Sequence, residues 1–271
     1  MSLRLGHCRV CNVEDFLDPE LQEAMHQVYG VPIAPPGRED RKYWEVGMAS
    51  RSLQAFGAVR ADAEILGVGA GHEATMFHLT RLVRRVFATD LYLDPADWER
   101  TAPTSVLADP GRYWGGPWEP RRLVVQHMDA LDLRYEDGVF DGIFSSSSIE
   151  HFGDHEAVRR AAAEMCRVLK HGGVCSVSTE LKLKGDGPGF SDTNLFTVEE
   201  LLDLFLTGND WELVEPLDTT LSPITLSRMV DFEEAAEDVR AGRPSWRTYP
   251  HIVMRFGGYV WTSVHLALRR A

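Results

Sequence analysis

Gly69 and Gly71 stand between an apolar run, Ile65-Leu66-Gly67-Val68, and a helical pattern that begins near Ala74. Glycine lets a backbone approach a ligand closely, and a helix N-terminus presents unpaired N–H groups. A strand, a glycine turn and a helix in that order make a nucleotide site. The spacing Gly69-x-Gly71-x-x-Ala74 also fits the dinucleotide fingerprint. Asp90 follows at roughly the 20-residue distance where such folds place a ribose-binding carboxylate. Taken alone, the turn is ambiguous: it also fits an NAD(P)-dependent oxidoreductase, or a structural turn that holds no ligand.

Later residues narrow the chemistry. Asp90 closes the run Val86-Phe-Ala-Thr-Asp90. A carboxylate there accepts both ribose hydroxyl protons, and both bonds are charge-assisted. Its bland alternative is a helix cap. Asp129, in His127-Met128-Asp129-Ala130, can read an adenine edge together with adjacent backbone N–H groups, or cap a turn. Met128 suits packing beside a base or in the core. The run from Phe140 spills into Ser145-Ser-Ser-Ser148, a cofactor contact or a helix entry. Glu150-His151 follows at once, and a His can take a proton from a substrate hydroxyl. His155 and His251 are weaker candidates for that task. Cys8-Arg-Val-Cys11 has the spacing of half a zinc site, but no second pair lies nearby and Cys166 and Cys175 fall within the predicted sheet. No metal is expected. Trp98, Trp114 and Trp118 either wall a substrate site or pack a long loop.

These residues need a scaffold. Residues 1–60 read as an N-terminal helical lobe, with helices over Glu20–Tyr29 and Tyr43–Phe56 separated by Val31–Gly37. From residue 61 to 271 short apolar strands alternate with amphipathic helices. Strands are expected at Glu64–Val68, Arg85–Thr89, Leu123–His127, Gly138–Ser145 and Val174–Glu180. A helix is expected over Ala157–Leu169, stopped by His171-Gly172-Gly173. Val198–Leu206 and Phe232–Arg240 read as helices, and Trp211–Glu215 and Tyr259–Leu268 as strands. The fold class is α/β: a Rossmann-like, doubly wound, mostly parallel sheet with an antiparallel C-terminal strand, plus the N-terminal helical lobe. Long connections at 94–120 and 182–194 interrupt it, and such connections carry function.

Composition bounds the partners. The 271-residue chain holds 28 Lys and Arg against 41 Asp and Glu, a formal charge of −13, with no basic run. Acidic chains repel phosphate backbones, so nucleic acid is disfavoured. No apolar stretch spans a bilayer and the N-terminus lacks the apolar core of a signal peptide. Four cysteines make no disulfide framework at this size. A cytoplasmic protein acting on a small molecule, monomeric or homodimeric, is expected.

The order of these pieces resembles the class I S-adenosylmethionine-dependent methyltransferases over roughly residues 63–215. The pieces are Ile65–Glu73, the Asp90 strand end, Met128-Asp129-Ala130, Phe140–Phe152 and Arg167-Val-Leu-Lys-His-Gly-Gly173, where the family commonly carries Arg-x-Leu-Lys-x-Gly-Gly. Asn194–Leu201 is similar to a segment that many small-molecule members carry. The resemblance implies S-adenosylmethionine as cofactor. It places that cofactor on Gly67, Gly69, Gly71 and Glu73, on Asp90 and Leu91, on Met128, Asp129 and Ala130, and on Ser145 and Ser146. It implies methyl transfer to a small-molecule acceptor, with oxygen as the first expectation, in a sugar or natural-product intermediate. His151 is the candidate base. One departure matters. The family's usual acidic residue two positions before the first turn glycine is Gly67 here, and its usual third glycine is Glu73. Glu73 is inferred to replace the missing carboxylate near the methionine ammonium, or else simply sits in the first helical turn. The rival oxidoreductase has no role for Asp129 or Phe140–Phe152, and no Tyr-x-x-x-Lys occurs in the chain. A non-catalytic binding protein on the same scaffold is the other alternative.

Overall fold

A computed structural model describes residues 5–94, 101–243 and 249–271. Five parallel strands form its centre: β2 (Glu64–Val68), β3 (Arg85–Asp90), β4 (Leu123–His127), β5 (Phe140–Ser146) and β6 (Leu169–Lys184). They lie in the order β4-β3-β2-β5-β6, and β12 (Tyr259–Arg270) runs antiparallel against β6. The outer edge of β12 is shared by three short strands: β11 (Val253–Phe256), β1 (Arg9–Val10) and β9 (Trp211–Leu213). Two further pieces, β7 (Gly189–Phe190) and β8 (Thr193–Asn194), pair with each other, and β10 (Val230–Asp231) pairs with β11.

Strand alternation divides the core between two faces. Leu66, Val68 and Ile143 pack on one side with α4 (His155–Val168) and α5 (Val198–Leu206). Ile65, Val86, Ala88 and Phe144 pack on the other with α2 (Arg41–Ala55) and α3 (Ala74–Leu79). The chain leaves β2 toward β3 and β4, then returns to β5 on the other side of β2. That reversal leaves a crevice at the carboxyl ends of β2 and β5, where open α/β sheets bind ligands. The remaining helices are α1 (Pro19–Tyr29), α6 (Pro223–Ser227) and α7 (Phe232–Arg240).

Local chemistry sets the helix boundaries. Asp18 accepts a hydrogen bond from the Leu21 N–H at 2.9 Å ahead of α1, with Pro19 in the first turn, and Gly30 closes that helix in the left-handed conformation. Asp154 caps α4 through the Ala157 N–H, and Thr197 and Glu200 form a reciprocal capping box on α5. Helix α4 ends one residue from the expected Leu169, but β6 begins at once, ahead of the expected Val174. The helix stops at Val168, because Leu169 is already extended and begins β6. Gly172, at φ +74°, instead serves an irregularity in the pairing of β6 with β5, between Phe140 and Gly142.

The N-terminal segment is helical but does not stand apart. Strand β1 adds to the sheet, and α2 packs on β5, β6 and β12. Phe16, Leu21, Met25, Trp44 and Met48 share a core with Ile252, Val253 and Val260. The 101–120 connection carries short 3-10 turns, and the 182–194 segment continues β6 before the β7–β8 hairpin. No helix among the described residues is long and apolar enough to cross a membrane.

Candidate active site

The crevice opens into a cavity of about 730 Å³. Its cradle is backbone. Gly69 and Gly71 have φ of +63° and +47°. A Cβ on Gly69 would lie 2.5 Å from the Ser148 Cβ, and one on Gly71 would lie 2.5 Å from the Thr101 carbonyl oxygen. Both conformation and space therefore demand glycine. The Gly71 N–H donates to Asp90 Oδ2 at 2.8 Å, and the Leu91 N–H donates to Asp90 Oδ1 at 2.7 Å. The Asp90 carboxylate is thus fixed between the turn and the end of its own strand. Burial pushes its carboxyl above the usual range, and the two N–H donors oppose that shift. Tyr92 closes the turn from below, its hydroxyl donating to the Gly71 carbonyl at 2.5 Å.

The expected residues converge with two exceptions. Gly69, Gly71, Glu73, Asp90, Leu91, Met128, Asp129, Ala130, Ser146 and His151 all line the cavity. Gly67 does not. It lies inside β2, where a Cβ would meet the Phe144 ring at 2.5 Å, so no acidic side chain fits there. Ser145 is also excluded. It is buried within β5 beside Ser146, and strand alternation turns only one of the two into the cavity. Asp129 is exposed, and its Oδ1 accepts from the Leu131 N–H at 2.9 Å, so it caps its turn while edging the cavity. Of the tryptophans, Trp114 lines the cavity, Trp118 packs edge-on against Phe77, and Trp98 lies outside the described residues. His155 packs beside Phe196 and His251 pairs with Asp40, and neither lines the cavity. Cys8 and Cys11 are buried thiols, and burial pushes Cys8 up to about 11. Among the described residues no group of three His, Cys, Asp or Glu is placed to hold a metal.

Glu73 is the acid that reaches the cavity where Gly67 cannot. Thr75 Oγ1 donates to its Oε1, and Ser146 Oγ does so at 3.3 Å. Burial raises its carboxyl to about 7. His151 Nδ1 lies 2.6 Å from the Asp192 carbonyl, which places a proton on Nδ1 and makes Nε2 the basic nitrogen of the neutral ring.

Sequence reasoning missed the charged floor. Arg41 Nη1 donates to Glu180 Oε1 at 2.6 Å and to Glu45 Oε1 at 3.1 Å. Lys42 Nζ reaches Glu180 and Glu45 at 3.3 and 3.4 Å and also bonds Ser147 Oγ. Ser147 holds φ +49°, unusual for a residue with a side chain, and its Oγ donates to Glu45 Oε2 at 2.7 Å. Burial opposes ionisation of Glu180, but Arg41 and Lys42 outweigh it and hold that carboxyl below the ordinary range. Glu150 accepts from Thr179 Oγ1 at 2.8 Å, and burial followed by the Glu180 charge pushes it upward. Tyr29, Tyr43 and Trp114 complete the wall.

The cavity suits a sulfonium nucleoside on its own geometry. Its cradle leaves no room for a Cβ, Asp90 is held in place beside it, and the buried carboxyl of Glu73 faces the same space. Residues 66–177 match the family model described as a methyltransferase domain. Solved structures share the fold. A candidate sarcosine dimethylglycine methyltransferase of Galdieria sulphuraria is similar at 16% identity and TM-score 0.55, covering 93% of this chain and 98% of that one. Geranyl diphosphate methyltransferase, solved with S-adenosylmethionine, is similar at 15% identity and TM-score 0.54 with both chains covered in full, 100% each. The [4+2]-cyclase SpnF is similar at 16% identity and TM-score 0.53, with 97% of each chain covered. The chain thus carries a methyltransferase domain over residues 66–177, and the glycine cradle with its fixed Asp90 lies within that match.

Proposed function

We propose that this enzyme methylates an oxygen of a small molecule, of the sugar or natural-product intermediate class, in the cytoplasm. The observation that carries the reading is the continuity of one cavity. It runs from the cradle at Gly69 and Gly71 to a walled chamber under α1 and α2. A volume of this order accommodates a cofactor with a modest acceptor, but no polymer groove. The net charge of −13 and the acid-rich floor disfavour a nucleic acid.

Asp90 holds the ribose hydroxyls, while Leu91, Met128, Asp129 and Ala130 hold the adenine. Gly69 and Gly71 admit the methionine chain, Ser146 borders it, and Glu73 receives the ammonium. When bound, the cofactor supplies a methyl group already activated by its sulfonium. The chain's residues then bind, orient and exclude water. His151 takes the proton that the acceptor oxygen sheds, through Nε2.

The test is a titration followed by turnover. S-adenosylmethionine and S-adenosylhomocysteine are expected to bind in calorimetry, and S-adenosylhomocysteine to accumulate when a hydroxylated acceptor panel is supplied. Binding of NADH with no binding of either sulfur nucleoside would overturn the reading.

A further inference from the structure

The cavity carries more negative charge than the chain neutralises. Six acids line it: Glu45, Glu73, Asp90, Asp129, Glu150 and Glu180. Two cations face them, and both are committed to the same pair. Arg41 and Lys42 each bridge Glu45 and Glu180. Glu73 and Glu150 have no ion-pair partner among the described residues, and His151 stands at the rim, held to the Asp192 carbonyl. Asp90 is held by the Gly71 and Leu91 N–H groups, Asp129 is exposed, and burial makes the phenols of Tyr29 and Tyr43 weaker acids.

Glu180 adds a second observation. It is only 5% exposed. Its Oε1 receives both cations, yet its Oε2 is buried with no hydrogen-bond partner. An unpaired buried carboxylate oxygen is costly to maintain. Glu180 lines the cavity, and so does Glu150, itself 1% exposed. The cofactor does not close the account. Its sulfonium and ammonium, less its carboxylate, bring one net positive charge, and Glu73 receives the ammonium. No cationic group of the cofactor is assigned to Glu150 or to Glu180 Oε2, so that end of the cavity keeps two acids and one unpartnered carboxylate oxygen.

We propose that the acceptor carries a protonated amino group that seats between Glu150 and Glu180 and donates to Glu180 Oε2. This rests on the cofactor assignment above and names the substrate class: an amino-bearing small molecule, such as an aminosugar or amino alcohol. The wall fits the same ligand. Tyr29 packs edge-on to Tyr43 at 5.2 Å and lies 6.3 Å from Trp114, and aromatic walls favour a cation. A neutral polyol would bring no cation to that end.

The test uses the full chain saturated with S-adenosylhomocysteine and ligand-observed NMR on matched pairs: glucosamine against glucose, and 2-phenylethylamine against 2-phenylethanol. The amine of a pair is expected to bind about tenfold or more tightly than its neutral partner. Glu180→Gln and, separately, Glu150→Gln should remove that preference while leaving S-adenosylhomocysteine affinity within about twofold. Thermal melting checks that each variant is folded. The proposal fails if no amine is preferred over its partner. It also fails if either variant weakens the nucleoside as much as the amine. Failure of the wild-type chain to bind S-adenosylhomocysteine would strike the cofactor assignment instead.

Discussion

The two halves of the cavity are built by different means. The proposed nucleotide half is assembled from strand ends that follow one another along the chain, at residues 69–73, 90–91 and 128–130, and is shaped largely by backbone groups. The proposed acceptor half joins α2 to residues more than a hundred positions away. Arg41 reaches Glu180 across 139 positions and Ser263 across 222. Its groups are charged side chains. A turn held by its own N–H donors can keep one shape while the rest of the protein varies. A buried ionic cluster exists only when the whole fold has formed, and its charges are open to substitution. The first arrangement suits a common cofactor and the second a particular substrate.

The contrast can be broken by substitution. The largest effect is expected from Arg41→Met. It leaves Glu45 and Glu180 with one exposed lysine between them and should destabilise the fold by about 3–5 kcal/mol in urea unfolding. A small effect would show that the cluster is not structural. Next is Asp90→Ala, which removes charge-assisted bonds worth roughly 1.5–3 kcal/mol each. S-adenosylhomocysteine should bind roughly 100-fold more weakly by calorimetry; unchanged affinity would take Asp90 out of the ribose site. Gly71→Ala forces a side chain into φ +47° against the Thr101 carbonyl and should cost about 1–3 kcal/mol of stability, read by thermal melting.

Proton linkage sharpens the comparison further. The Glu73 carboxyl, raised by burial to about 7, binds its proton more tightly in the folded chain than in the unfolded one. Its contribution is therefore fully present below the unfolded value of 4.5 and is lost as pH rises through about 7. Glu73→Gln should remove that part of the decline in ligand-free stability. An ammonium beside Glu73 favours the ionised form, so nucleoside binding near pH 6 should release a fraction of one proton. Calorimetry in buffers of different ionisation enthalpy reads it, and an equal release from Glu73→Gln would refute the assignment. The smallest effect is expected from Asp129→Ala. That carboxylate is exposed, so affinity should fall by less than about tenfold.

The same contrast explains what the sequence disclosed. Strands β2 and β4 and helices α5 and α7 have the boundaries that apolar runs and caps predict. That the glycine turn, Asp90 and Met128–Ala130 come to one cavity was legible because each follows a strand at short range. Gly67 was misplaced because its reason for being glycine, the Phe144 ring, comes from another strand. The start of β6 was placed at Val174 rather than Leu169 because Gly172 and Gly173 carry a stop signal that the chain uses for a strand irregularity. Arg41, Lys42 and Glu45 went unnoticed because i,i+3 and i,i+4 charge pairs ordinarily mark a solvated helix face. Only Glu180, a charge at the end of the polar run Ser176–Thr179 in an otherwise buried central strand, offered a hint.

Strand β12 has a consequence for handling the protein. Two residues, Arg9 and Val10, cover the stretch of its outer edge between β11 and β9 through His265 and Val264. Clipping the first dozen residues would bare peptide groups on the longest antiparallel ribbon of the molecule. Bare ribbon edges recruit other chains, so such a trimmed preparation is expected to self-associate even with every cofactor-contacting residue intact.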